Sequence, residues 1–293
     1  MSQRLLLLLS VVWSADVWAQ VPEPLAEPRP APVRGWVPAY DAHVRAEAAK
    51  VPALRTLPAE KMADFCPRWA ELAPDARLQF YADLLYAISG PESGWDRRVM
   101  FNETGIIDRA TRRQAIDPVT RRPILSEGLL QLSYADMDGY PPAEGLGCRF
   151  DWEADRAAFA LDLAAGAGAR TFHSLHPERS LLNPYAQLSC GVHVLHTLVR
   201  RFPQDDFRAA AGRYWSTMRP KKKSHVQVVA ALQARESACF QQAPAAWMVL
   251  AALFESWAGW APGPAAHGLV LGARAAREPG PERQAHAPPV SPP

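Results

Sequence analysis

The segment from Asp75 to Trp95 has a helical pattern of hydrophobic residues that ends in a run of small and polar ones. Asp75 suits the N-cap of this helix. Gly90 and Pro91 are expected to end or kink it, because glycine accepts unusual backbone angles and proline lacks an amide N–H. The apolar positions recur every three or four residues, which predicts one helix face packed in a core: Leu78, Tyr81, Leu84, Leu85 and Ile88.

Glu92 follows this predicted break and would lie at the edge of a buried helix. Burial raises the pKa of a carboxyl group because the charged form is desolvated, and a glutamic acid protonated near neutral pH can act as a general acid. The pattern therefore predicts Glu92 as a candidate catalytic acid. The alternative interpretation is a solvated turn residue beside Ser93 and Gly94.

The remaining pattern predicts a mainly helical α+β fold. Between Trp95 and Ser126 the sequence is polar and turn-rich, and short β-prone pieces at Gly105–Ile107 and Ile124–Leu125 predict a small irregular β-hairpin beside a cleft. Glycines and prolines predict a loop over Asp136–Gly147. Further helices are predicted at Tyr40–Lys50, Ala59–Leu72, Trp152–Ala165, Pro184–Arg200, Phe207–Trp215 and Ser224–Phe240.

Proline-rich sequence flanks this region on both sides, and such composition is typical of extended or disordered segments. We therefore predict a linker at residues 20–36, one folded domain at 37–242, and a tail at 243–293. The sequence of the first part of the tail predicts a peripheral helix. Pro and Gly interrupt its apolar run, so we do not predict a membrane span there. The apolar face of that helix comprises Trp247, Leu250, Phe254 and Trp257.

The N-terminus has the features of a secretory signal peptide at residues 1–19. Arg4 precedes an apolar run from Leu5 to Trp13, and Val17-Trp18-Ala19 suits cleavage after Ala19. The run is shorter than the roughly 20 residues that a membrane span needs. The sequence therefore predicts export to the bacterial periplasm or the medium.

Cysteine content and charge narrow the possible classes. The four cysteines suit disulfides in an oxidising compartment, and we favour Cys148 with Cys190 and Cys66 with Cys239 among the three possible pairings. The cysteines form no CxxC pair of the kind found in zinc sites. The histidine pairs, His173 with His176 and His193 with His196, have no nearby carboxylate partner in sequence, so we expect no metal. A net charge of +2 does not suggest nucleic-acid binding. No phosphate-binding or dinucleotide motif appears, and we expect no cofactor.

Four short blocks follow one another in the chain: Pro91–Trp95, Ser126–Ser133, Asn183–Gly191 and Ala210–Trp215. Their order resembles the lytic transglycosylase SLT domain of the lysozyme-like superfamily, which is related to goose-type lysozyme. The resemblance covers about residues 75–216. It implies a lysozyme-like fold in which these blocks line a cleft for peptidoglycan glycan strands.

On this resemblance, Glu92 takes the place of the family's catalytic glutamate and Ser93 that of the serine beside it. Gly128, Leu130 and Gln131 match the block that lines the sugar cleft, with Leu130 where the family usually has methionine. These matches imply that Ser93 and the cleft block contact the substrate.

Two further matches lie on the later helices. Gln187 stands where the family usually has asparagine, and Tyr214 matches a tyrosine whose hydroxyl points toward the catalytic acid. The chain departs from the family in Trp215, which replaces an asparagine, in Pro91 before the acid, and in the added length of residues 96–126.

The family's chemistry requires one carboxyl group. The resemblance implies that Glu92 protonates the oxygen of the β-1,4 bond between N-acetylmuramic acid and N-acetylglucosamine and then acts as base on the muramic C6 hydroxyl. That hydroxyl attacks C1 and gives a 1,6-anhydro end without water. Gln131 and Tyr214 would orient the sugar and the acid.

Two other functions stay open. In a muramidase or chitinase-like hydrolase on the same fold, a second carboxylate such as Glu127, or less readily Asp108 or Asp117, would activate water across the sugar. A backbone contact in a loop is the alternative role for Glu127. The other function is a lysozyme-like module that binds glycan without cutting it, as an accessory to cell-wall machinery whose identity the sequence does not give. The Lys221–Lys223 run suits a solvated loop or a weak contact with peptide carboxylates of peptidoglycan.

Overall fold

The computed structural model describes residues 32–240, except residues 64, 109–110, 144 and 236. By its internal contacts the chain divides into two units, residues 1–241 and 242–293. The predicted signal peptide at 1–19, most of the predicted linker and the predicted tail lie outside the described residues.

The described residues form a mainly helical α+β fold, as the sequence pattern predicts. The helices are α1 Pro38–Ala49, α2 Pro52–Arg55, α3 Ala59–Met62, α4 Pro74–Ser93, α5 Asp136–Gly139, α6 Trp152–Ala165, α7 Pro184–Arg201, α8 Phe207–Ala211 and α9 Lys223–Ala234. Short 3₁₀ helices occur at Trp69–Glu71, Ser180–Leu182 and Ser216–Met218. The strands are β1 Val99–Asn102, β2 Leu125–Glu127 and β3 Thr171–His173.

Helix α4 is the central element of the core. It packs against α1 on one side and α9 on another, and its predicted apolar positions from Tyr81 to Ile88 are buried. Its N-terminus differs from the prediction: Ala73 is the N-cap, Pro74 is the first helical residue, and Asp75 lies in the first turn. Proline suits this first position because its missing N–H would have no intrahelical partner there.

The end of α4 also differs from the prediction, because the helix continues through Pro91 to Ser93. Proline removes one intrahelical hydrogen bond, and this close to the end of the helix the loss is tolerated. Gly94 ends the helix in the left-handed region, with φ of 63°, and its N–H donates to Gly90 O over 2.8 Å. The Trp95 indole folds back and donates to Tyr86 O over 3.0 Å.

The small sheet has the strand order β2-β1-β3, and both pairings are antiparallel. Met100, opposite Glu127 in one pairing and Phe172 in the other, is fully buried. The predicted hairpin is therefore present, but its first strand precedes the predicted piece at Gly105–Ile107, and β3 was not predicted. Three residues such as Thr171–His173 are too few for a clear period-two pattern.

Three predicted helices break or shorten in the structure, and one of them is the helix predicted at Ser224–Phe240, which ends at Ala234. The predicted helix Ala59–Leu72 divides into α3 and a 3₁₀ turn, since Pro67 disfavours helical geometry at Cys66 and removes an N–H. The helix predicted at Phe207–Trp215 stops at Ala211, before Gly212. By contrast, α6 matches its prediction, with the Asp151 carboxylate accepting from Ala154 N at the N-cap.

Two disulfides close the fold, Cys66–Cys239 and Cys148–Cys190, and these are the two pairs favoured from the sequence. Each typically contributes about 2 to 4 kcal/mol to the free energy of unfolding. Such bonds are compatible with an exported protein. Within the described part of the chain, no helix combines the length and apolar character that crossing a bilayer requires.

Candidate active site

Glu92 lies in the last turn of α4, where its side chain is half-buried. The hydroxyl of Thr217, on the 3₁₀ helix Ser216–Met218, donates to Glu92 Oε1 over 2.8 Å. Burial raises the pKa of Glu92 to about 7, the Thr217 hydrogen bond opposes that rise, and the nearby charge of Glu103 adds to it. The carboxyl group is therefore protonated in a large share of molecules at neutral pH.

Glu103 is a second carboxylate beside Glu92 that sequence reasoning missed. It directly follows β1, and its Oε1 accepts a hydrogen bond from the Ser126 hydroxyl over 2.5 Å. Its side chain is only half-buried. In sequence it belongs to a polar turn, and no pattern there distinguishes it from a solvated residue.

Tyr214 is directed to an acid other than the predicted one. Its hydroxyl donates to Asp136 Oδ2 over 2.6 Å, while the charge of Glu92 is close enough to contribute to the raised pKa of the tyrosine. Asp136 also accepts from Ser133 N over 2.7 Å. Burial raises the pKa of Asp136 to about 6. Asp136 is thus another residue beside the site that the sequence pattern did not identify.

The cleft block forms a tight turn between two bridged residues, Glu127 and Leu132. Glu127 N donates to Leu132 O over 2.7 Å, and Leu132 N donates to Glu127 O over 3.0 Å. Gly128 and Gln131 both have positive φ, of 76° and 52°. The Gln131 amide donates to Gly128 O over 2.9 Å, so the turn is held by its own side chain.

Gln187, on α7, holds this block from behind. Its Oε1 accepts from Leu130 N over 2.9 Å, and its Nε2 donates to Glu127 O and to Leu181 O over 2.8 Å each. A Cβ at Gly128 would lie 1.9 Å from Gln187 Nε2, so only glycine fits there. The amide of Gln187 is fully buried, and in the structure it binds backbone atoms.

The end of α4 is joined directly to the block. The Ser93 hydroxyl lies 3.0 Å from Leu129 O, and the Trp215 indole donates to Leu130 O over 3.0 Å. A Cβ at position 191 would lie 2.5 Å from Leu130 Cδ1, so a larger residue there would displace the buried Leu130 side chain. These contacts place Glu92 next to the block.

The predicted substrate-binding residues fall into two groups. Ser93 and Tyr214 keep part of their surface exposed. The others are buried and form what we call the wall: Gly128, Leu130, Gln131 and Gln187.

Glu127 is enclosed within the fold. It is 1% exposed, and Arg179, equally buried, donates from Nη2 to Glu127 Oε2 over 2.5 Å. Arg179 Nε also lies 3.0 Å from Asp162 Oδ2. Burial raises the pKa of Glu127, and the Arg179 guanidinium opposes this rise. These contacts make Glu127 part of a buried ion cluster.

The two lesser acids predicted from the sequence cap turns. Asp117 is buried and accepts from the backbone N–H groups of Val119, Thr120 and Ala135. Asp108 is exposed, and its carboxylate accepts from Thr111. Among the described residues, no group of three His, Cys, Asp or Glu side chains is placed to bind a metal ion.

No family model matches this chain, and no curated protein matches it. Among solved structures the chain is similar to a glutamate-to-glutamine mutant of DslA (Bd0314), with 22% sequence identity and a TM-score of 0.46. The similarity covers 69% of this chain and 91% of that one. A likeness this distant does not assign a function to this chain.

Proposed function

We propose that this protein cleaves the β-1,4 bond between N-acetylmuramic acid and N-acetylglucosamine in peptidoglycan, with Glu92 as the acid. The proposal rests on one observation: a half-buried carboxyl group with a pKa raised to about 7 is bonded to the neutral hydroxyl of Thr217. Such a group is protonated often enough near pH 7 to donate its proton, and its anion is basic enough to recover one.

The reaction that needs least from the site is an intramolecular transfer. Glu92 donates its proton to the glycosidic oxygen as the bond from C1 to that oxygen breaks. The C6 hydroxyl of the same muramic acid attacks C1, and its proton passes to the Glu92 carboxylate. The products are a 1,6-anhydro end and a free hydroxyl on the leaving sugar, and Glu92 is protonated again.

Hydrolysis is the second candidate, because of Glu103. In an inverting hydrolase a second carboxylate activates water on the far side of the sugar. Glu103 is close enough for its charge to raise the pKa of Glu92, and the Ser126 hydroxyl fixes its carboxylate. Glu127, the second acid considered from the sequence, is paired with Arg179 instead.

The wall residues serve this chemistry by position. Ser93 and Tyr214 are the substrate-facing candidates, since part of each remains exposed. The buried residues set the shape of the wall through their contacts with one another: Gly128, Leu130, Gln131 and Gln187. In this proposal Ser93 and Tyr214 contact the glycan, and the buried residues hold them rigidly in position.

The test is digestion of purified sacculi followed by mass spectrometry of the released fragments. Anhydro-muramic ends support transglycosylation, and reducing muramic ends support hydrolysis through Glu103. Glu92→Gln should lower turnover by about a hundredfold or more, the usual contribution of a general acid. Glucosaminidase products, or unchanged turnover in Glu92→Gln, would refute the proposal. Binding of glycan without any product would instead identify a non-catalytic module.

A further inference from the structure

The segment that contains Tyr214 and Thr217 is strongly basic. Residues 207–235 include no aspartate or glutamate, whereas the whole chain has a net charge of only +2. Several cations of this segment follow one another closely: Arg208, Arg213, Arg219 and Lys221–Lys223. Acids from outside the segment pair with some of these cations, Asp206 with Arg208 and Asp205 with Arg213.

Three of these arginines line a surface cavity of about 440 Å³. Arg208, Arg213 and Arg219 supply its positive charge, and Asp205 is the acid in its lining. Asp205 pairs with Arg213, over 2.8 Å between Nε and Oδ2. Arg208 also has an acidic partner outside the lining, with 3.8 Å between its Nη2 and Asp206 Oδ2. The lining itself contains three guanidinium groups and one carboxylate.

Two of the guanidinium groups are held in place by bonds at Nε. Arg213 is bonded there to Asp205 and stacks over Phe202, with 3.8 Å from Cζ to the ring centroid. Arg219 donates from Nε to Gly212 O over 2.7 Å. A guanidinium has five N–H donors, so one bond at Nε does not exhaust either group. Both side chains are exposed, and both are pre-oriented for a carboxylate.

Two arginines of the cavity are close in sequence to residues of the proposed active site. Arg219 is two residues from Thr217, whose hydroxyl binds Glu92, and two residues span at most about 7 Å. Arg213 directly precedes Tyr214. In peptidoglycan the peptide substituents extend from muramic acid, so they are the part of a glycan bound at Glu92 that would meet these arginines.

We infer that the arginine-lined cavity binds a carboxylate of the stem peptide attached to muramic acid. This inference rests on the proposed function, because it concerns the substrate of the same site. Stem peptides have free carboxylates at side chains and at the C-terminus, and paired guanidinium groups bind carboxylates with defined geometry. The protein should accordingly prefer glycan strands that keep their peptides.

The experiment measures binding in the full chain with Glu92→Gln, so that no substrate is consumed. Dissociation constants are compared for soluble glycan strands with stem peptides, the same strands stripped of peptides by an amidase, and strands with amidated peptide carboxylates. The first substrate should bind more tightly than the other two. Adding Arg213→Gln and Arg219→Gln should reduce that preference about three- to tenfold, as expected for two partly solvated ion contacts.

Arg45→Gln is the matched control, since Arg45 is an exposed arginine on α1 and its loss should leave the preference as it is. Salt gives an independent measurement without substitution at the cavity: the preference should shrink as ionic strength rises, because exposed charges are screened. Equal binding of all three strands would overturn this inference while leaving the proposed function standing. Absence of binding to any strand would overturn both.

Discussion

Two glutamates with raised pKa values occupy different surroundings in this protein. Glu92 is half-buried and bonded to the neutral hydroxyl of Thr217. Glu127 is fully buried and paired with the Arg179 guanidinium. Burial raises the pKa of both, and acidic neighbours add to the rise at both: Glu103 at Glu92, and Asp162 and Asp117 at Glu127. Glu127 differs in that it also faces a cation, Arg179, which opposes the rise.

The comparison teaches that burial alone does not identify a catalytic acid. A buried carboxylate that faces a cation is a structural ion, because its charge is compensated by the partner. A carboxyl group that faces a neutral donor and another acid keeps its proton near neutral pH and can release it. The identity of the partner therefore separates the two roles, and three measurements can challenge this separation.

The largest effect on stability should come from breaking the buried pair. Glu127→Gln leaves the Arg179 guanidinium buried without its anion, and removing one partner of such a pair costs about 3 to 5 kcal/mol in the free energy of unfolding. Urea unfolding checks this. The control is Glu153→Gln, because the Glu153–Arg156 pair is exposed and should contribute less than about 1 kcal/mol. A loss at Glu127 no larger than the control would mean that the pair is dispensable.

The same substitution at position 92 should stabilise the protein. The folded pKa of about 7 lies above the unfolded value near 4.5, so the folded state binds more protons between these pH values and stability falls as pH rises through them. Glu92→Gln removes this dependence. It should be more stable than the wild type by about 1 to 3 kcal/mol at pH 8, with the difference disappearing below pH 4.

Urea unfolding across this pH range checks the expectation, with the Glu153→Gln variant as the control for loss of an exposed carboxylate. A Glu92→Gln variant that is less stable than the wild type at pH 8 would show that the ionised carboxylate is a favourable structural group. Glu92 would then resemble Glu127, and the comparison between them would fail.

Much of the fold could be predicted from local patterns. Helices α4 and α6 follow from apolar stripes, and the Asp151 N-cap marks the start of α6. The pattern was weaker where the chain is held by distant contacts: β3 forms by pairing with β1, far earlier in the sequence. Pro91 was misinterpreted because its cost depends on where the helix ends, which Gly94 decides.

Sequence patterns could indicate only those features of the site that depend on residues adjacent in the chain. Glu92 could be proposed as the acid because the helix pattern and the carboxyl group are adjacent in sequence. Its donor Thr217 is 125 residues away, and nothing in a serine- and threonine-containing turn indicates that contact. Gln187 shows a different limit, since an amide residue looks the same in sequence whether it binds a sugar or, as here, the backbone.

The smallest effects should come from the two neighbours of Glu92, and they should have opposite signs. Thr217 donates to the ionised carboxylate and so lowers the pKa of Glu92, whereas the charge of Glu103 raises it. Thr217→Val should therefore move this pKa upward and Glu103→Gln downward, each by up to about one unit. Titration of the Glu92 carboxyl carbon by NMR measures both pKa shifts without requiring turnover. The alkaline limb of the pH–activity profile should move upward with the pKa in the Thr217→Val variant.

The control is Glu153→Gln, which is far from this contact in sequence and should leave the pKa of Glu92 as in the wild type. If both neighbour variants shift the pKa in the same direction, altered burial and not the sign of the partner sets the proton affinity of Glu92.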